Sequence, residues 1–374
     1  MLTLVWQILA VAIVFTTIVG VHEFGHFLFA KLFKMDVDEF AIGFGPRIAS
    51  RKTKTGTVVS LRCIPLGGFV RVKGSEPRED GGEVHIERGF FSRGPWLRLL
   101  VFLAGPAFSL LFGVVCYFAV AMFNGTPDAE PIIGGVPKDY PAEAAGLREG
   151  DKVLAINGAP IRTYQQIRET VQPSKAPLDF RILRGGKEVT LKVAPIQRLQ
   201  LLDDADGNPK FGPDGKPIYQ VLGFIGIQAK VEKFQIVPSM QFAARNSMML
   251  ISQTVHVMGS WSRLKQNAGG PISIARVTSS AAQSGAVALL YLAGTISFSL
   301  GLLNLLPIPL LDGGQIVIAF IEGLRRGRRL SMKVQELVAG AGFALILLMI
   351  VGVFALDIGH ITEERAQKAS SSQK

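Results

Sequence analysis

Only two cysteines, Cys63 and Cys116, occur in the 374 residues. They have neither the number nor the spacing of a thiolate metal site or a disulfide framework. Histidine is nearly as scarce, with five. Charge is missing altogether from four long stretches, Met1–Val21, Leu99–Pro127, Val277–Leu311 and Leu337–Leu356. Each can hold a spanning helix of about 20 residues. A chain that is 48% apolar, with mean hydropathy +0.34, is too apolar for an ordinary soluble protein of this length. These gaps exclude a soluble globular enzyme and predict a polytopic α-helical membrane protein with four transmembrane helices. The first run also lacks a basic n-region and a small-residue cleavage site before His22. It is therefore expected to be a retained anchor, not a cleaved signal.

The charge that is present is unevenly placed. Lys and Arg number 40 against 29 Asp and Glu, a net charge of +11. Lys34, Arg47, Arg51, Lys52, Lys54, Arg62, Arg71 and Lys73 fall between the first two uncharged runs, and Arg325, Arg326, Arg328, Arg329 and Lys333 between the last two. Basic residues close to span ends mark the cytoplasmic side. With four spans, both termini and the large middle segment then lie outside the cytoplasm. The basic excess reads as a topology signal with contact to anionic lipid, and no nucleic-acid partner is expected.

The first uncharged run ends in His22-Glu23-Phe24-Gly25-His26 and resumes apolar with Phe27-Leu28-Phe29-Ala30. Ionisable groups are expensive in a bilayer and are by default a functional-site hypothesis there. On a helix His22 and His26 are one turn apart and project to one side, so both imidazoles can reach one zinc ion. Glu23 is placed to take a proton from water instead of ligating metal. The alternative is a pair of buried histidines hydrogen-bonded to neighbouring spans. A catalytic zinc needs a third protein ligand and an open fourth position. His85, His256 and His360 are poorly placed for it. The best candidate is Asp312, which ends the third uncharged run in Asn304-Leu305-Leu306-Pro307-Ile308-Pro309-Leu310-Leu311-Asp312-Gly313-Gly314. Alone, Asp312 reads as a helix N-cap at the membrane edge. Broken backbone at membrane depth is tolerated where it lines a cavity.

Between the spans, Val58–Ile64 and Phe69–Lys73 read as strands around the turn-forming Pro65-Leu66-Gly67-Gly68, and Gly43-Phe44-Gly45-Pro46 breaks the chain earlier. Residues 34–75 should thus form a small β element at the cytoplasmic face. From Glu130, the strand-like Pro131–Val136 leads into Pro141-Ala142-Glu143-Ala144-Ala145-Gly146-Leu147-Arg148-Glu149-Gly150-Asp151 and then Lys152–Gly158. That stretch resembles the PDZ domains of bacterial membrane-associated proteases. The pattern occurs once, so one extracytoplasmic PDZ-like β/α domain is expected. Tyr164–Thr170 should form its second helix, and residues 180–193 a closing hairpin. Asp203–Pro209 lacks the closing Glu of a calcium loop and reads as linker. A strand is expected over Val221–Ile227 and an amphipathic interfacial helix over residues 238–265.

The expected segments are a first span over 1–33, the β element and loop over 34–95, and a second span over 96–124. The PDZ domain follows over 130–196, then a linker, strand and interfacial helix over 197–275. A third span with the Asn304–Gly314 motif covers 276–323, a fourth span 334–357, and a polar tail 358–374.

His22-Glu23-x-x-His26 together with Asn304-x-x-Pro307-x-Pro309-x-Leu311-Asp312-Gly313 resembles the site-2 protease family of intramembrane zinc metalloproteases, in the bacterial branch that includes regulator of sigma-E protease. Gly43–Pro46, Pro65–Gly68 and Gly269-Gly270-Pro271-Ile272 look like further motifs of that family, so the resemblance covers nearly the whole chain. It implies one zinc ion per chain bound by His22, His26 and Asp312, Glu23 as general base, and Asn304 as a substrate-holding residue. It also implies a bacterial inner-membrane location with the active site towards the cytoplasm. The implied reaction is cleavage of single-span membrane proteins within or near the spanning segment, with anti-sigma factors and remnant signal peptides as substrates. One departure stands out: relatives often carry Asn where Ser109 follows Gly105-Pro106-Ala107-Phe108. A competing class is a non-catalytic PDZ membrane adaptor with a vestigial zinc site, against which the intact Glu23 argues. A metal transporter would need charged residues threading several spans.

Overall fold

The computed structural model describes residues 2–75, 86–127, 130–201, 219–258, 271–331, 334 and 337–353. The chain divides into two compact units, residues 1–117 with 243–374, and residues 118–242.

Helix α1 spans Leu2–Leu32. It is apolar on every face up to Val21 and carries His22, Glu23 and His26 in its second half; it stops where Lys34 turns to φ 56°. Strands β1 (Val37–Lys52) and β2 (Val58–Val72) follow. Both are bent, so each half finds its own neighbour. Residues 37–42 pair antiparallel with 68–72, from Val37↔Val72 to Ile42↔Gly68, and on their other side lie beside Val58–Leu61. Residues 68–72 therefore form an edge among the described residues. Glu39, buried in this sheet, accepts from Arg47, Arg62 and Ser60. The Arg47 hydrogen bonds, then those of Ser60 and Arg62, hold its carboxyl at about 2 against the opposing pull of burial. A short 3-10 turn at Phe90–Ser92 precedes α2 (Pro95–Asn124). Pro95 sits at the first helical position, where its missing N–H costs nothing.

The unit over residues 118–242 contains short strands β3 (Thr126–Pro127) and β4 (Ile133–Gly135), helix α3 (Pro141–Ala144), then β5 (Lys152–Ile156) and β6 (Ala159–Pro160). Helix α4 (Tyr164–Val171) is opened by a capping box, with the Thr163 side chain accepting from Gln166 N. Strands β7 (Leu178–Arg184) and β8 (Lys187–Val193) form the expected closing hairpin of a sheet in the order β6-β5-β7-β8. Its core is built from alternating inward positions, among them Val153, Ile156, Phe180, Ile182 and Val193.

This body does not end at residue 196. Strand β9 (Ile196–Leu201) pairs with β10 (Tyr219–Phe224), Ile225 is buried in the core, and β11 (Gln228–Ala229) pairs with β4. The expected strand over Val221–Ile227 thus starts and ends earlier, and the residues after it close this body instead of forming a linker. Apolar burial of Ile225 decides this, and no local pattern announces it. Strand β12 (Val231–Glu232) pairs with β3. The calcium-loop look-alike lies outside the described residues.

Helix α5 spans Ile236–Met258, a shorter piece than the expected 238–265, whose remainder lies outside the described residues. The third membrane run is not one helix. Helix α6 (Pro271–Ser284) breaks at Gly285, φ 107°, and α7 (Ala286–Asn304) resumes. Residues 305–311, with Pro307 and Pro309, leave the helical path before α8 (Asp312–Leu324). Glycine and proline explain both interruptions.

Among the described residues three helices are long and apolar enough to cross a membrane: Val5–Leu32, Pro95–Asn124 and Ala286–Asn304. Helix α9 (Leu337–Val353), in the fourth uncharged run, is apolar but shorter. Small residues let α2 and α7 approach closely. A Cβ on Gly113 would lie 2.9 Å from Gly294 O, and Ser297 Oγ donates to Ser109 O at 3.0 Å. Cys63 and Cys116 are both free thiols.

Candidate active site

The helical spacing of His22 and His26 brings their Nε2 atoms to 3.3 Å. Each ring is held from behind. His26 Nδ1 donates to the carbonyl of Val101 at 2.8 Å, and His22 Nδ1 pairs with Ser109 Oγ at 3.0 Å. Both partners belong to α2. With its Nδ1 proton engaged by Val101, His26 turns the lone pair of Nε2 forward.

Asp312 arrives on that point from α8. Its Oδ2 is 3.0 Å from His22 Nε2 and its Oδ1 is 3.4 Å from His26 Nε2. The N-cap of α8 is Leu311, so Asp312 is the first helical residue, not the cap that its sequence setting suggests. The loop before it is tightly wound. A Cβ on Gly313 would lie 2.1 Å from Leu306 O, and one on Gly314 2.4 Å from Ile308 O.

One ligand atom from each of His22, His26 and Asp312 lies within 4.8 Å of the others. A tetrahedral site with bonds of roughly 2.0–2.1 Å has edges of roughly 3.3–3.4 Å. The observed separations of 3.0, 3.3 and 3.4 Å are close to that. The Nε2 atoms of both rings and the Asp312 carboxylate thus converge on one point, a donor set of two imidazoles and a carboxylate that suits a divalent cation such as zinc.

Glu23 and Asn304 line the same cavity, of ≈ 620 Å³, as the three converging residues. The Glu23 carboxyl faces the backbone of Val70. Gly67, Gly68, Phe69 and Val70 of the β2 edge also line the wall, and a Cβ on Gly68 would lie 3.1 Å from Glu23 Cγ. Glycine is needed there for the strand to run this close to the helix.

Residues 10–349 match the model of peptidase family M50. The chain belongs to that family. This M50 peptidase is a metalloprotease of the site-2 type and an integral membrane protein. The zinc metalloprotease RasP of Geobacillus kaustophilus is 28% identical over 431 residues, covering 94% of this chain and 97% of that protein. A Campylobacter jejuni protein assigned as a zinc metalloprotease is 31% identical over 365 residues, covering 96% of this chain and 95% of its own. One from Rhizobium meliloti, so assigned, is 30% identical over 360 residues, with 92% and 94% covered. The PDZ domain of the SdrC-like protein from Listeria monocytogenes, 19% identical, covers 28% of this chain and 90% of its own, with a TM-score of 0.18.

Of the other histidines in this M50 peptidase, His256 lies on α5, while His85 and His360 fall outside the described residues. Gly269-Gly270 also fall outside, and Pro271-Ile272 open α6. Two functional positions escaped the sequence. Val101 acts through a carbonyl, which any residue has. Ser109 stood out only as an unusual residue, and its role as the partner of His22 needs the α1–α2 contact. That contact is made by glycines: a Cβ on Gly25 would lie 2.4 Å from Ala104 O, and one on Gly105 2.2 Å from His26 Nε2. Partners of metal-binding histidines commonly set 10–100-fold in affinity. Ser109→Ala is expected to weaken metal binding about 10-fold with the fold intact. Chelator competition on the purified protein measures this.

Proposed function

We propose that this chain is an intramembrane zinc metalloendopeptidase that cuts single-span membrane proteins within or near the spanning segment. The observation that carries the reading is the convergence of His22, His26 and Asp312, beside Glu23, on a helix whose preceding residues are uncharged. These three residues would hold one zinc ion per chain. When bound, it supplies water that ionises near neutral pH and polarises the scissile carbonyl.

The remaining steps belong to the chain itself. A spanning helix hides its carbonyls in its own hydrogen bonds, so the substrate must unwind to be cut. The edge at residues 68–72 takes the freed backbone by strand addition. Asn304, across the cavity, holds the strand by its main chain. Glu23 takes a proton from the attacking water and delivers it to the leaving amide nitrogen.

The proposed setting is the bacterial inner membrane. The helix at Leu337–Val353 serves as part of a fourth span, both termini and the PDZ unit lie outside, and the catalytic end of α1 lies towards the cytoplasm. Basic residues flanking the spans support that orientation. Anti-sigma factors and remnant signal peptides are the substrate classes that fit. The adaptor reading is disfavoured because a vestigial site has no need of Glu23 beside a complete ligand set.

The test is reconstitution of the full chain in liposomes with a single-span substrate carrying a helix-breaking residue in its span. Cleavage within the span, lost on chelation and restored by zinc, is expected. Product ends mapped only to the soluble part of the substrate would sink the intramembrane reading.

A further inference from the structure

Arg98 and Glu322 line the same cavity as the site above, yet the chemistry described gives them no task. Their side chains are 5% and 2% exposed, and Arg98 Nη2 donates to Glu322 Oε2 at 2.6 Å. The guanidinium also lies over the rings of Phe91 and Phe90, at 5.4 and 6.0 Å. Glu322 Oε1 accepts from Leu330 N at 3.4 Å. A buried ion pair is a weak source of stability, because apolar residues of similar volume often serve as well or better. Its best-attested use is to fix the register of the elements it joins.

What the pair joins follows from the helices. On α2, Arg98 is three residues from Val101, whose carbonyl holds His26, so the two share a face. On α8, Asp312, Gln315, Ala319 and Glu322 all line the cavity at helical spacing, so Asp312 and Glu322 lie on one stripe. The α8 helix does not inherit its rotation from α7, because non-helical residues 305–311 intervene, with Leu310 at φ 76°. Gly313 and Gly314 seat its first turn against the loop carbonyls. Glu322, about 15 Å farther along at ~1.5 Å per residue, pins the other end. Rolling a helix by about 10° carries an atom roughly 6 Å from its axis through about 1 Å. Metal–ligand distances tolerate about 0.2 Å.

We propose that the Arg98–Glu322 pair sets the roll of α8 and so holds Asp312 at the distance from His22 and His26 that a metal ion requires. Both are positioning residues. The inference rests on reading those three residues as the zinc ligands.

The test uses the purified full chain, with zinc affinity measured by chelator competition and thermal stability measured on the metal-free protein. The double variant Arg98→Met/Glu322→Leu removes both charges at once. It is expected to melt near the wild-type temperature while binding zinc about 10-fold more weakly or worse. The reversed pair, Arg98→Glu/Glu322→Arg, should recover most of that loss. Glu322→Gln, which keeps volume and an acceptor, should also weaken zinc by about 10-fold, and it decides the matter if the double variant does not fold. Wild-type zinc affinity in the folded double variant, or in Glu322→Gln, overturns the proposal. So does a reversed pair that binds zinc no better than the double variant. In the control His26→Ala, lost zinc means that such a failure concerns positioning alone. Zinc retained there removes the ligand reading, and this proposal with it.

Discussion

Glu23→Gln is expected to cut on the order of 10²–10⁴-fold more slowly than the wild type while retaining its metal, since that is what a positioned acid–base group contributes. The substitution is nearly isosteric. It leaves the close approach to Gly68 in place. It leaves His22, His26 and Asp312 untouched. What it removes is a group able to take a proton from water and give it back to the leaving nitrogen. Rate and zinc content should be measured on the same preparation. A Gln variant that cleaves at the wild-type rate with full zinc would show that the proton moves by another route.

Asp312→Asn is expected to fail earlier, at metal binding. Structural zinc sites are worth about 10–16 kcal/mol in apparent binding energy. If one of three protein ligands carries roughly a third of that, its loss weakens zinc on the order of 10³-fold. The amide adds a second penalty. Its NH2 end, placed where Oδ2 lies 3.0 Å from His22 Nε2, can donate to that lone pair and close the site without a cation. The variant should therefore fold, lack zinc after dialysis, and show no cleavage until zinc is raised far above the wild-type requirement. Stoichiometric zinc in dialysed Asp312→Asn would remove the aspartate from the ligand set.

The two variants separate the halves of the site, and those halves were unequally visible in the sequence. His22, Glu23 and His26 are legible because one helical turn relates them, and a helix is a local object. Asp312 emerges as the third ligand by elimination of the other histidines and from the broken backbone around it, and the family resemblance adds to this, since nothing local says that residues 26 and 312 meet. Its setting beside Pro307 and Pro309 did show that the backbone breaks there. Ser109, Val101 and the Arg98–Glu322 pair were hidden, because each gains its role from packing between helices far apart in sequence. The strands of residues 34–75 followed from alternation and glycine turns. The four uncharged runs were plain, but charge counting treats Val277–Leu311 as continuous. Gly285 interrupts the helix inside it without changing the composition. The return of Ile225 to the core of the 118–242 unit is not legible in the sequence, because a single apolar residue after a polar stretch carries no periodicity.

The cavity between α1, β2 and α8 has one further consequence. If the cut falls within the membrane, as proposed, hydrolysis consumes water of which the surrounding hydrocarbon supplies almost none. A space of ≈ 620 Å³, lined by Ser75, Arg98, Asn304, Gln315 and Glu322 as well as by the reacting groups, has room for several water molecules and polar groups to hold them. On that reading the second reactant would be held beside the reacting groups and would not have to diffuse through lipid for each turnover. Thickening or drying the bilayer should alter how substrates enter and leave this room much more than how fast a bound peptide is cut.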